Sequence, residues 1–354
     1  MRKGIKITIL ASSSVILVAV VLHLASLVLM PKYMSEPKEG ALIAEYYGEV
    51  ENGIEHQVLF VGDCEVYESF VPPVLWEEYG ITSYIRGSAQ QLIWQSYCLL
   101  EETFKYESPD VVVFNVLSMK YGQPQKEEYN RMTLDGMKNS TIKHKAILAS
   151  MTEDENIASY YFPILRYHSR WKDITAEDFR YMFERDTVSH NGYLMQMGIR
   201  AMEKSFEEQE ADATNRLYDA QLPAICFEYL DKMKELCEQN GATLILIKTP
   251  TNSATYWWYD EWDEQICEYA ANNSIDYYNF IENQEIGLDW STDTYDRGLH
   301  LNVYGAEKLT RYFGRILQTK YSLESRNDNA ETLDLWTKKV QQYYNEKTGK
   351  ENQK

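Results

Sequence analysis

The apolar positions of this chain fall into three patterns. The first is one long run. Residues 7–30 contain no Asp, Glu, Lys or Arg, and about 20 such residues cross a bilayer as a helix. The second is a set of short apolar bursts: VLFV at 58–61, ITSYI at 81–85, DVVVFNV at 110–116, TLILI at 243–247 and DYYNF at 276–280. Four to seven apolar or β-branched residues bounded by polar ones read as strands, and a continuous Val-rich run suits a parallel strand covered on both faces. The third pattern has helical spacing. Residues 90–106 place Leu92, Ile93, Tyr97, Leu100 and Phe104 on one stripe. Residues 223–240, ended by Gly241, 262–273 and 303–319 read as further helices.

Strands alternating with helices predict an α/β domain with one five-stranded parallel sheet and helices on both faces. The alternation stops between residues 118 and 221, where amphipathic and aromatic stretches without a β run predict a helical insertion after the third strand. The expected organisation is a membrane anchor at 1–31, a polar stalk at 32–55, the α/β domain at 56–322 with its insertion as a cap, and a C-terminal helix with a polar tail at 323–354. In the tail only 335–344 is amphipathic, and the rest reads as polar and frayed.

Arg2, Lys3 and Lys6 precede the apolar run. Basic residues at that end place it in the cytoplasm and everything after residue 31 outside. A cleaved signal peptide has an apolar region of about 7–15 residues and a small-residue cleavage site. Here the run is longer, and Leu29-Met30-Pro31-Lys32 offers no such site, so an uncleaved single-pass anchor is expected.

Composition narrows the function. The net charge is −19, which argues against nucleic acid and against broad adhesion to anionic surfaces. With 28 Tyr and 8 Trp, stacking on sugar rings and filling of the core are both open. The five cysteines, Cys64, Cys98, Cys226, Cys237 and Cys267, show no CxxC pair, so neither a zinc site nor a disulfide framework is expected. No metal-ligand spacing, phosphate loop or cofactor motif is present.

Candidate chemistry collects at the carboxyl ends of the predicted strands, where parallel sheets carry their sites. Gly62-Asp63-Cys64 follows the first, Arg86-Gly87-Ser88 the second, and Asn115 closes the third. Near the far end lies YDRGLHLNVYG, residues 295–305. These blocks resemble the SGNH/GDSL hydrolase superfamily: Gly-Asp-Ser after strand one, Gly after strand two, Asn after strand three, and Asp-x-x-His before the last helix. The resemblance covers residues 58–321 apart from the insertion, and implies a flavodoxin-like three-layer αβα sandwich. The anchor and Glu65, directly after the nucleophile position, are similar to a membrane-anchored subset. These are the extracytoplasmic proteins of D-alanyl transfer to teichoic acid and of alginate O-acetylation, which work beside a multi-pass membrane-bound O-acyltransferase.

The resemblance implies an acyltransferase or esterase acting on O-acyl groups of a cell-envelope glycan. Cys64 would be the nucleophile, His300 its base, and Asp296 the group that fixes the imidazole. The backbone N–H groups of Cys64 and Gly87 and the side chain of Asn115 would hold the oxyanion. Asp63, Glu65, Arg86, Ser88 and Asp293 are supporting candidates.

Three departures from the family pattern stand out. Cysteine replaces serine, Asn115 lacks the usual Gly-x-Asn-Asp setting, and Asp296 lies four residues before His300 rather than three. The orienting acid is therefore Asp296 through a shifted turn, or Asp293, or absent.

Each residue also has a plainer role: Cys64 a packed thiol, Asn115 a helix cap, Gly87 a turn, and Arg86 a structural partner for Asp63. The competing reading is a non-catalytic module that binds glycan or a membrane acyltransferase. His168 and Arg170, in residues 167–171, and His190, in residues 189–192, are candidates to line an acceptor path or to form a polar cap surface. Residues 257–259 and Trp290 are candidates for sugar stacking or for core or rim packing.

Overall fold

The computed structural model describes residues 2–30, 40–184, 187–204, 208–209, 219–253, 258–281 and 283–353. Pro31 and Lys32, which follow the expected uncleaved anchor, Trp257, and parts of the stalk and insertion lie outside them.

Five strands form one sheet: β1 (Val58–Gly62), β2 (Ser83–Gly87), β3 (Val111–Asn115), β4 (Thr243–Lys248) and β5 (Asp276–Asn279). Their order is β2-β1-β3-β4-β5 and every neighbouring pair is parallel. This is the flavodoxin-like doubly wound order, whose switch point lies between β1 and β3. Side chains alternate across the sheet as period two demands. Val58, Phe60, Val111, Val113, Ile245 and Ile247 belong to one apolar layer, and Leu59, Val61, Val112, Phe114, Leu244 and Leu246 to the other.

The helices, in chain order, are α1 (Arg2–Leu29), α2 (Ala41–Val50), α3 (Cys64–Tyr67), α4 (Pro72–Tyr79) and α5 (Ile93–Thr103). The insertion holds α6 (Glu127–Leu134), α7 (Thr141–Ser150), α8 (Ala158–Tyr161), α9 (Ile164–Tyr167) and α10 (Ala176–Arg180). Then follow α11 (Ala224–Gln239), α12 (Asp260–Asn273), α13 (Val303–Lys320) and α14 (Ala330–Glu351). Helices α4 and α13 cover the first layer; α5, α11 and α12 cover the second. The expected three-layer sandwich with a parallel five-stranded sheet is the fold observed.

Three expectations change. Strand β2 begins two residues later than its apolar pattern suggests and includes Arg86 and Gly87, because its register on β1 pairs Ser83 with Val58 and Gly87 with Gly62. The expected stalk contains α2, whose Ile43, Tyr46 and Tyr47 are buried. The expected C-terminal helix is longer than its amphipathic stretch at 335–344: α14 spans Ala330–Glu351, stacks Trp336 on Trp76 of α4 at 5.5 Å and buries Tyr343. Among the described residues α1 alone is long and apolar enough to cross a membrane.

Candidate active site

The turn after β1 is built by Gly62 and Asp63. Gly62 has φ 154°, and a Cβ there would lie 2.6 Å from Val66 Cγ2 and 3.1 Å from Asn115 Cβ, so only glycine fits. Asp63 caps α3 by accepting from the Glu65 N–H at 3.2 Å. Cys64 thereby becomes the first residue of α3, at the switch point. Gly87, paired with Gly62, abuts this turn: a Cβ on it would stand 3.1 Å from the Gly62 carbonyl oxygen.

His300 arrives from the opposite end of the chain, just before α13. Its Nδ1–H donates to Asp296 Oδ2 at 2.6 Å, and its backbone N–H donates to Asp296 Oδ1 at 2.8 Å. Two successive left-handed residues, Arg297 (φ 68°) and Gly298 (φ 83°), take up the extra residue between acid and histidine. Thr294 Oγ1 ties that turn by accepting from the Gly298 N–H at 2.8 Å. With Nδ1 held by a carboxylate, the other ring nitrogen is the one available to act on Cys64, and the thiol and imidazole lie close enough for each to shift the other's titration. Of the open alternatives for the orienting acid, Asp296 occupies the position. Asp293 does not: it accepts from Lys308 Nζ at 2.7 Å and from the Asp289 N–H at 2.8 Å, closing its own loop.

A second carboxylate reaches the same imidazole. Glu68 Oε2 lies 3.4 Å from His300 Nδ1, and Tyr295 OH donates to Glu68 with both oxygens 3.0 Å away. The Tyr295 ring lies nearly parallel to the imidazole. Burial pushes the Glu68 carboxyl up to about 7, although the charge on His300 works against it. Burial also pushes the Cys64 thiol up, with the Asp63 charge adding to the rise and His300 opposing it. Burial opposes protonation of His300, but Cys64, the Asp296 hydrogen bond and the Glu68 charge together lift it well above the ordinary histidine value. Cys64 is 6% exposed and His300 8%.

Behind Cys64 lies a buried charged cluster. Lys248, the last residue of β4, donates from Nζ to Glu65 Oε1 at 2.8 Å and Oε2 at 2.9 Å, and Thr249 Oγ1 donates to Glu65 Oε2 at 2.6 Å. Asn115 Nδ2 donates to Glu65 Oε2 at 2.9 Å and to Asp63 Oδ1 at 3.2 Å. Burial, reinforced by the Glu65 charge, pushes Asp63 up to about 7.

This arrangement corrects one expected role. Both amide hydrogens of Asn115 face carboxylates, so its side chain is not aimed at an oxyanion. Arg86 is corrected as well: it partners Glu102 at 2.7 Å and the Leu99 carbonyl at 2.8 Å, on the α5 side, rather than Asp63. Ser88 turns to Thr133 at 2.6 Å and Gln91 at 3.2 Å, also outside the site.

The insertion divides. Helices α6 and α7 pack against one another, and α7 lies against the flank of α5. Its later segment, residues 190–200, runs along the site. Leu194 N–H donates to the Tyr67 carbonyl at 2.8 Å, Val303 N–H to the Gln196 carbonyl at 2.8 Å, and Arg297 N–H to the Arg200 carbonyl at 2.8 Å. His168 and Arg170 do not line this edge. Arg170 holds the end of α1, as described below, and His168 Nδ1 stands 3.3 Å from the Leu165 carbonyl. His190 contacts Glu346 of α14 at 2.9 Å. Trp258 is buried against Trp262, the core packing that was the alternative to sugar stacking.

Sequence reasoning missed Lys248, Thr249, Glu68 and Tyr295. Two signals were available: a Lys directly after the apolar run 243–247, and a Glu one helical turn after the cysteine.

No family model matches this chain, and no curated protein matches it. One solved structure that it resembles is described as a "putative acylhydrolase" from Bacteroides fragilis NCTC 9343. It is 14% identical, with a TM-score of 0.38 over 78% of this chain and 94% of that one.

Proposed function

We propose that this chain is a membrane-anchored acyltransferase or esterase that handles O-acyl groups, acetyl or D-alanyl, of a cell-envelope polysaccharide through an acyl-enzyme on Cys64. The observation that carries this reading is the line Asp296–His300–Cys64, assembled from two distant segments at the switch point of a parallel sheet. The arrangement supplies a nucleophile, a base and an orienter.

In the proposed reaction His300 takes the thiol proton as Sγ attacks the ester carbonyl. The C–O bond to the leaving alcohol breaks, and His300 returns the proton to that alcohol. A second hydroxyl, or water, then attacks the thioester with His300 again as base; the acyl C–S bond breaks, and His300 returns the proton to Sγ. The N–H groups of Cys64 and Gly87 face the developing oxyanion. A donor of that kind contributes on the order of 10²–10³ in rate.

The basic residues before α1 support a domain outside the membrane. A glycan or teichoic acid acceptor and a multi-pass acyltransferase partner follow from the SGNH resemblance. The competing reading, a binding module without turnover, draws on the buried thiol and the committed Asn115 amide.

The deciding experiment incubates the protein with an activated acetyl ester and maps acetylation by mass spectrometry. Acetyl transfer to Cys64 and turnover that disappears in Cys64→Ala are expected. His300→Ala should slow acylation by on the order of 10²–10⁴. Acetylation confined to the exposed Cys267, or turnover that survives Cys64→Ala, rejects the acyl-enzyme and leaves the binding module.

A further inference from the structure

The proposed site gives no role to a cluster of exposed apolar side chains in the insertion. Beyond α1, ten large apolar residues are exposed among the described residues. Five of them, Phe162, Leu165, Trp171, Phe179 and Phe183, fall within 162–183, with Trp171 66% and Phe183 87% exposed. They lie on or beside α9, the turn His168–Lys172 and α10, the elements that pack on the end of α1. Arg170 fastens that junction. Its Nη1 donates to the Leu29 carbonyl at 2.7 Å and to the Met30 carbonyl, and its Nη2 donates to Asp178 at 3.0 Å.

Length places this junction along the membrane normal. Packing buries Ser26, Val28 and Leu29, whereas residues 4–24 are all exposed. Those residues make a helix about 31 Å long, against a hydrocarbon core of about 30 Å. The insertion therefore meets α1 where hydrocarbon would give way to headgroups.

Side-chain chemistry agrees. Residues 162–184 carry four basic and four acidic groups, a neutral patch in a chain of net charge −19. Lys172 lies over Trp171, Arg180 over Tyr181 and Arg166 over Tyr167. A cation on an aromatic ring suits a headgroup layer, where the ring sinks and the cation meets phosphate.

We propose that residues 162–183 seat in the phospholipid headgroup layer at the end of α1, giving the protein a second membrane contact beside its anchor. This rests on α1 spanning the membrane and not on chemistry at Cys64.

The test uses the full chain in phosphatidylcholine vesicles. Tryptophan emission of the wild type and of Trp171→Phe is quenched either by lipid carrying a nitroxide at a shallow acyl position or by iodide in the water. Trp171→Phe should remove most of the lipid-quenched emission and leave the iodide-quenched emission unchanged. A combined Phe162→Ser, Phe179→Ser and Phe183→Ser variant, with Trp171 as reporter, should lose the lipid quenching while keeping the wild-type unfolding midpoint.

A Trp171 component that the nitroxide lipid does not quench overturns the proposal, whether water or a partner protein covers the ring. Flotation separates the failures. A chain that does not float with the vesicles refutes the membrane-spanning α1; one that floats without lipid quenching refutes only the headgroup seat.

Discussion

Asn115 stands at the end of β3, where an oxyanion donor is wanted, and gives both amide hydrogens to Asp63 and Glu65. Asn115→Ala is therefore expected to lower stability by about 1–3 kcal/mol, the loss of hydrogen bonds given to buried carboxylates, and to slow acylation less than tenfold. Chemical denaturation and single-turnover acylation read the two separately. A loss of 10²–10³ in rate at unchanged stability would restore the oxyanion role.

Glu65→Gln leaves Lys248 buried without its counter-ion, and should cost about 3–5 kcal/mol. The double variant Glu65→Gln, Lys248→Met should recover much of that, with midpoints of urea unfolding as the check.

Asp296 helps lift the proton affinity of His300. Removing its charge lowers that affinity, so Asp296→Asn should move the acid limb of the acylation–pH profile to lower pH while reducing the maximum rate. An unmoved limb would separate Asp296 from the titrating pair. Cys64, His300 and Asp296 were readable because each sits in a short block at a strand end or before a helix. The Glu65–Lys248 pair was not, because it joins β4 to a turn 183 residues away and neither local context announces the other.

At the scale of elements, β1, β3 and β4 were legible from apolar runs alone, because a strand covered on both faces has no polar face to interrupt it. The end of β2 was hidden by Arg86. A charged side chain breaks the apolar pattern, yet here it is neutralised by Glu102 and lies over the Tyr46 ring at 4.2 Å. Helix α2 was hidden for a related reason: its buried Tyr46 and Tyr47 donate to the carboxylates of Glu107 and Glu102.

His56, just before β1, contacts Glu49 of α2 at 2.9 Å and Glu107 at 3.0 Å, and Lys339 of α14 closes on Glu49. Burial works against ionisation of Glu49, but the His56 hydrogen bond and the Lys339 charge outweigh it and hold the carboxyl down at about 2. A depressed carboxyl stabilises above its unfolded value and loses that contribution as pH falls towards the folded one. The stability difference between wild type and Glu49→Gln should be on the order of 3 kcal/mol near pH 6. It should shrink as pH drops from about 4.5 to about 2. A difference independent of pH would show that packing rather than charge sets it.

For the whole molecule, a neutral aromatic patch beside an apolar helix sets one end apart from an otherwise acidic surface. The chain also returns on itself. Helix α14, the last described element, lies against α4 and α2, two of the earliest parts of the domain. Trp336 is wholly buried there, and Trp336→Ala should cost about 3–5 kcal/mol, read as a fall in unfolding midpoint without change in the Asp296–His300 contact.

That closure has a bearing on biogenesis. A polypeptide threaded across a membrane from its first helix presents α2 and α4 on the far side long before residues 330–351 have passed through the pore. Until they do, the Trp76 face and the His56–Glu49 pair stand without their cover. In the orientation proposed above, those surfaces gain their cover only when residues 330–351 have crossed as well.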